Sequence, residues 1–170
     1  MKSILFCLLT FISIVACSQE DKSKRPSPPA LVKETLESGA TVSIDYSQPA
    51  VKERTVGKDL EPMEGKVWRT GANEATVFEV DKNVKVEGKE LPAGKYGLFT
   101  IVNGDEWTII FNKTWKQWGA FTYKEADDAL RVKVKAEKAK KFAERMTFTI
   151  EKDGDVLLTW ADKQVEFKVK

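Results

Sequence analysis

The sequence predicts an all-β protein: an antiparallel β-sandwich with at most one short connecting helix. Three observations carry this prediction. Apolar and polar residues alternate at period two in several separate runs. Turn signals recur at short intervals, at Glu87-Gly88-Lys89, Pro92-Ala93-Gly94, Asn103-Gly104-Asp105 and Asp153-Gly154-Asp155. Residues 136–146 are the main stretch with apolar residues at helical spacing.

Taken in order, the first segment stands apart from the fold. Residues 1–16 place a lysine at position 2 before an apolar run too short to span a bilayer, which reads as a secretory signal. Ile14-Val15-Ala16-Cys17 resembles the lipobox of bacterial lipoproteins. That resemblance implies a lipid on Cys17, cleavage just before it and a membrane partner held through the anchor. The other cysteine, Cys7, lies inside the signal, so the mature domain holds no disulfide. Residues 17–29 comprise the acylated cysteine and a polar, Pro-rich flexible linker. Glu20-Asp21 resembles surface-export signals of Bacteroidetes lipoproteins. The expected location is therefore the cell envelope, at the outer membrane on its periplasmic or surface face. Residues 30–170 form one domain, long enough to bury its own core.

Within the domain, Val42, Ile44 and Tyr46 alternate with polar neighbours, as do Val165, Phe167 and Val169. Both read as half-buried strands. A hairpin is expected about Asn103-Gly104. A two-residue loop puts Thr100 on the face of Trp107. A three-residue loop with Gly104 at a left-handed bulge gathers Phe99, Ile101, Trp107, Ile109 and Phe111 on one face, and is preferred because that face is wholly apolar. Leu98, Val102 and Ile110 make the other face apolar too, so the hairpin is expected to be central and covered on both sides. The main helical candidate is AEKAKKFAERM, residues 136–146, with Ala136, Ala139, Ala143 and Met146 in register. From 131 to 145 there are seven basic residues against two acidic. That run reads as a solvated strand face whose lysines block edge pairing, with contact to anionic lipid or polysaccharide as the alternative.

Composition excludes several functions. The chain has no histidine, which removes Ser-His-Asp and Cys-His catalysis and the usual zinc and haem sites. Its 28 basic and 26 acidic residues give a net charge of +2, with no electrostatic reason for a nucleic-acid partner. No phosphate loop is present, and no cofactor is expected.

Two clusters concentrate the remaining chemistry. In KVWRTGANEAT, residues 66–76, Gly71 marks backbone that a side chain would obstruct, and Asn73 is placed to close a local Asx-type turn. Arg69 offers a planar fork of donors for a carboxylate or for loop carbonyls. In NKTWKQWGAFTY, residues 112–123, Trp115 and Trp118 stand beside Asn, Gln and Lys. Such indoles serve either as faces for a sugar or as plugs at the end of a sandwich. The candidate ligand-binding residues are Trp68, Arg69, Thr70, Asn73, Glu74, Trp115 and Trp118.

PALVKETLESGATVSIDYSQPAVKER, KVWRTGANEAT, LPAGKYGLFTI, EWTIIFNKTWKQWGA and DALRVKVK, in this order, resemble the bacterial family called domain of unknown function 2911. The similarity covers nearly all of the mature chain. It implies an all-β fold in exported or lipid-anchored proteins, mainly of Bacteroidetes, and implies no reaction, cofactor or ligand. One departure is visible: Met63-Glu64-Gly65-Lys66 stands where members often place an aromatic before Gly-Lys.

The leading expectation is a lipid-anchored binding module in which Trp68, Trp115 and Trp118 stack on a glycan or another small polar ligand while Arg69, Asn73 and Glu74 orient it. A structural or assembly component of the envelope, docked on a protein partner, is the alternative. A glycoside-acting enzyme using carboxylates such as Glu74, Asp105 or Asp128 comes third, so that an enzyme is less expected than a binding protein.

Overall fold

In the computed structural model the described residues are 21–170, so the expected signal segment and Cys17 lie outside them. The strands are β1 (Pro29–Thr35), β2 (Thr41–Ser47), β3 (Thr76–Val80), β4 (Val84–Val86), β5 (Lys89–Leu91), β6 (Gly94–Asn103), β7 (Glu106–Asn112), β8 (Asp128–Ile150) and β9 (Asp155–Lys168). Helical structure among the described residues amounts to two single 3-10 turns, Lys22–Lys24 and Glu125–Asp127. The fold is all-β, as the alternation predicts.

Seven strands form one antiparallel sheet in the order β1-β2-β3-β6-β7-β8-β9, and β4-β5 is a separate hairpin. Period-two alternation points Val42, Ile44 and Tyr46 of β2 inward, and Val165 and Phe167 of β9 likewise, followed by Val169. The sheet curls until its far end returns over its near end. Ala50, just past β2, bridges Arg145 in β8, and Val51 N–H donates to the Glu144 carbonyl at 2.9 Å. One core fills the enclosed space, with Trp68, Phe78, Phe111, Phe167 and Trp160 among its largest members. Its rings meet edge to face, Phe78 against Phe111 at 5.0 Å and Phe111 against Phe167 at 6.0 Å. A smaller cluster of Ala75, Phe99 and Ile110 covers the opposite face of β6-β7. The central hairpin is thus buried on both sides, as its sequence predicts.

Its register differs from the preferred one. Asn103 pairs with Glu106 and Val102 with Trp107, so the loop has two residues, Gly104 and Asp105. Gly104 has φ 60°, the sign a primed hairpin turn requires at its first loop position. Thr100 therefore shares the core face with Trp107 and Ile109, and is fully buried. What makes a hydroxyl tolerable there is Thr70, whose Oγ1 donates to Thr100 Oγ1 at 3.3 Å.

The helical candidate is also corrected: residues 136–146 are extended, inside β8. Between Lys138 and Ala143 the strand takes five steps while its partner takes two, from Lys163 to Ala161. Between Ala143 and Thr147 it takes four against two. Each bulge resets which side chains face inward. Ala136, Ala139 and Met146 are consequently buried at spacings that imitate a helix.

Residues 21–28 of the expected linker are among those described. They lie along the domain. Gln48 N–H donates to the Pro28 carbonyl at 2.9 Å, Asn73 Nδ2 to the Ser27 carbonyl at 3.1 Å and Arg145 Nη1 to the Pro26 carbonyl at 3.4 Å.

Candidate functional site

The two sequence clusters are neighbours in space, joined by backbone. Ala75 N–H donates to the Gln117 carbonyl and Gly119 N–H to the Asn73 carbonyl, both at 3.0 Å. Their side chains, however, go to three different places.

Trp68 and Thr70 go inward. The Trp68 main chain exchanges two hydrogen bonds with Thr100, at 2.8 and 2.9 Å. Its indole is 2% exposed and donates from Nε1 to the Gly71 carbonyl at 3.0 Å. It is a core plug whose remaining surface borders the cavity of Arg69 and not the cleft of Trp115 and Trp118. Thr70 is buried, and its left-handed φ of 51° turns the chain there. Its carbonyl accepts from Thr76 Oγ1 at 2.8 Å. Gly71 is needed for space: a Cβ would sit 2.9 Å from Thr76 Oγ1 and 3.2 Å from the Ser47 carbonyl oxygen. Asn73 reaches across to Ser27 and closes no local Asx turn.

Arg69 points elsewhere, into a small cavity shared with Arg54, Glu61 and Trp160.

Glu74, Trp115 and Trp118 come together. They border a cleft of about 460 Å³ whose wall also includes Lys22, Asp45 and Gln117. The indoles are 36% and 55% exposed. Their loop, residues 113–127, lies on β6 because Gly97 has no side chain: a Cβ there would stand 3.3 Å from Trp115 Cα. Buried Asn112 secures the start of the loop, accepting from Thr114 N–H at 2.9 Å and donating from Nδ2 to Asp128 Oδ1 at 2.7 Å. Tyr123 secures its return. The phenol donates to Asp128 Oδ2 at 2.8 Å and accepts from Arg131 Nη2 at 2.7 Å. Burial, and then the bond to Asp128, push the Tyr123 hydroxyl up to about 12, so it remains protonated.

Cations flank both indoles. Lys95 Nζ lies 5.5 Å from the Trp115 ring centre, and the Arg25 guanidinium lies 5.8 Å from that of Trp118. Lys22 and Arg25 each reach Glu74 at 2.9 Å. Partial burial works to raise the Glu74 carboxyl, but bonds from Lys22, its own backbone and Arg25 hold it at about 2. Asp45, although exposed on the outer face of β2, is crowded enough for desolvation to push it above its usual range.

Asp45, Lys22 and Arg25 are site residues that the sequence reading missed. Asp45 sits on the polar side of a well-predicted strand, and that parity was its available signal. Lys22 and Arg25 are hidden in a segment that composition marks as linker. Asp105, considered as an acid–base group, instead sits at a turn and pairs with Lys163 at 3.0 Å; Asp128 is occupied by its bonds to Asn112, Tyr123 and Arg131. Among the described residues no group of three acidic or cysteine side chains is arranged to hold a metal ion.

A family model described as "Protein of unknown function (DUF2911)" matches residues 27–169. No curated protein and no solved structure matches the chain.

Proposed function

We propose, for a chain that belongs to the DUF2911 family, that the domain is a binding module holding a saccharide, or a polar ligand of similar shape, in the cleft between Trp115 and Trp118. The observation that carries this reading is the pair of half-exposed indoles on a cleft of about 460 Å³ with Asp45, Glu74 and Gln117 in its wall. Indole faces pack against the C–H surface of a sugar, while carboxylates and an amide take its hydroxyls. Trp68, Thr70 and Arg69, expected to share the site, serve elsewhere. Hydrolysis is disfavoured because Glu74 is held by two cations and is not free to act on a glycosidic bond. Lipidation at Cys17, outside the described residues, completes the proposal by placing the module on a membrane of the cell envelope. Labelling with an alkyne fatty acid that disappears in Cys17→Ser checks that part.

Titration of tryptophan emission with envelope oligosaccharides tests the binding site. At least one saccharide gives a saturable change, and Trp118→Ala weakens it about tenfold or more. A glycan array and titrations without any saturable response overturn the reading. In that event Leu31, 66% exposed, and Phe121, 86% exposed, favour a protein-docking surface instead.

A further inference from the structure

The cavity beside Arg69 is separate from the indole cleft, with no lining residue in common. It measures about 170 Å³, several times the ~30 Å³ share of one water. Segments distant in sequence form its walls: Ser27 from the N-terminal strap, Arg54, Glu61, Arg69 and Trp160.

Its charge does not balance. Arg54, Arg69 and Glu61 are the ionisable residues in its lining, two cations against one anion. Arg54 is fixed by its own loop, donating from Nε to the Val51 carbonyl at 3.0 Å and from Nη2 to the Ala50 carbonyl at 2.7 Å. Neutral carbonyls accept these two hydrogens without cancelling its charge. Glu61 is partly committed: a carboxylate oxygen accepts from Met63 N–H at 2.7 Å. Its carbonyl accepts from Trp160 Nε1 at 2.8 Å, which holds the indole as a wall. Arg69 is the unmatched member. Its Nε is buried and has no hydrogen-bond partner among the described residues. Burial works against the guanidinium's charge, and Glu61 offsets that only in part. Guanidinium does not deprotonate under ordinary conditions, so the electrostatic deficit is relieved by a counter-charge rather than by loss of a proton.

We propose that this cavity binds a small oxyanion, a carboxylate or phosphate group, with Arg69 as its principal partner and Arg54 supplying the second positive charge. A planar fork of N–H donors matches either oxyanion geometrically, and partial burial beside an indole strengthens the attraction over that in open water. The cavity admits one such group and little more, so the ligand is a small anion or the charged end of a larger molecule lying outside. This is independent of saccharide binding at the other cleft.

Thermal unfolding of the full chain in rising inorganic phosphate, and separately in acetate, at constant ionic strength maintained with chloride, tests the site. At least one of the two raises the midpoint saturably, as a ligand of the folded state must. Arg69→Gln weakens that apparent affinity about tenfold or more. Glu61→Gln, which removes the competing anion without emptying the cavity, tightens it by about threefold or more. Trp118→Ala leaves the anion response unchanged, which separates failure here from failure of the saccharide reading. If Arg69→Gln does not fold, the Glu61→Gln result decides. An absence of saturable stabilisation by both anions, or a response that Glu61→Gln does not tighten, overturns the proposal and leaves Arg69 bridged to Glu61 by water.

Discussion

Trp68 and Trp118 are chemically the same side chain, each within a few residues of a glycine and an amide, yet they do opposite things. Trp68 lies where the chain pairs with β6, its amide and carbonyl both bonded to Thr100, and that pairing directs the indole into the core at 2% exposure. Trp118 lies on a loop resting over Gly97, bridged to Glu74 and flanked by the Arg25 guanidinium, and is 55% exposed. An aromatic cluster in sequence therefore does not define a site. The backbone ladder on which each ring is mounted decides whether the ring is core or surface.

Deleting each ring in turn separates the two roles by the largest margin. Trp68→Ala removes a fully buried indole and its bond to Gly71, and should lower unfolding free energy by about 3–5 kcal/mol in a denaturant titration. Trp118→Ala should change it by no more than ~0.5 kcal/mol. Comparable losses for the two would erase the distinction between plug and cleft.

Of intermediate size is the hydroxyl pair behind the plug. Thr100→Val fills the same space but takes away the acceptor of the Thr70 hydroxyl, which retains only a longer contact to the Trp68 carbonyl at 3.4 Å. A loss of about 1 kcal/mol in the same titration is expected. A more stable Thr100→Val would mean that the pair contributes nothing to the choice of register.

The smallest effect concerns the cleft's own wall. Glu74 is held at about 2, below its ordinary 4.5. A carboxyl depressed by folding stabilises above its unfolded value, and that contribution is lost as pH falls through the folded value. The contacts of Lys22 and Arg25 should therefore be intact above pH 4.5 and released as pH drops toward about 2. Hydrogen exchange across residues 21–28 would follow the release, with little change in global stability because the Glu74 carboxylate is 40% exposed and Lys22 56%. Glu74→Gln should show rapid exchange there at every pH. A strap equally protected in Glu74→Gln would mean that Asn73, Gln48 and Arg145 hold it without the carboxylate.

Strands that alternate cleanly are legible from the residues alone, because parity alone fixes their inner face, as in 41–47 and 165–169. Three features were not legible, each for a physical reason. The register of the β6-β7 hairpin depends on Thr70, thirty residues from Thr100, which supplies the partner that makes a core hydroxyl acceptable. The extended course of 136–146 is concealed by two bulges that give buried alanines a helical rhythm. The docked strap of 21–28 owes its order to Glu74, Gln48 and Arg145, not to its own polar composition. The candidate site was legible in part. Trp115, Trp118 and Glu74 come together, whereas Trp68 and Arg69 differ from them only in which neighbours cover them.

Oxidative footprinting of the folded chain, with each tryptophan read by mass spectrometry, tests this partition most directly. Trp115 and Trp118 should be modified rapidly, while Trp68, Trp107 and Trp160, each 2% exposed or less, should be protected until the chain unfolds. Modification of Trp68 at the rate of Trp118 would contradict the account.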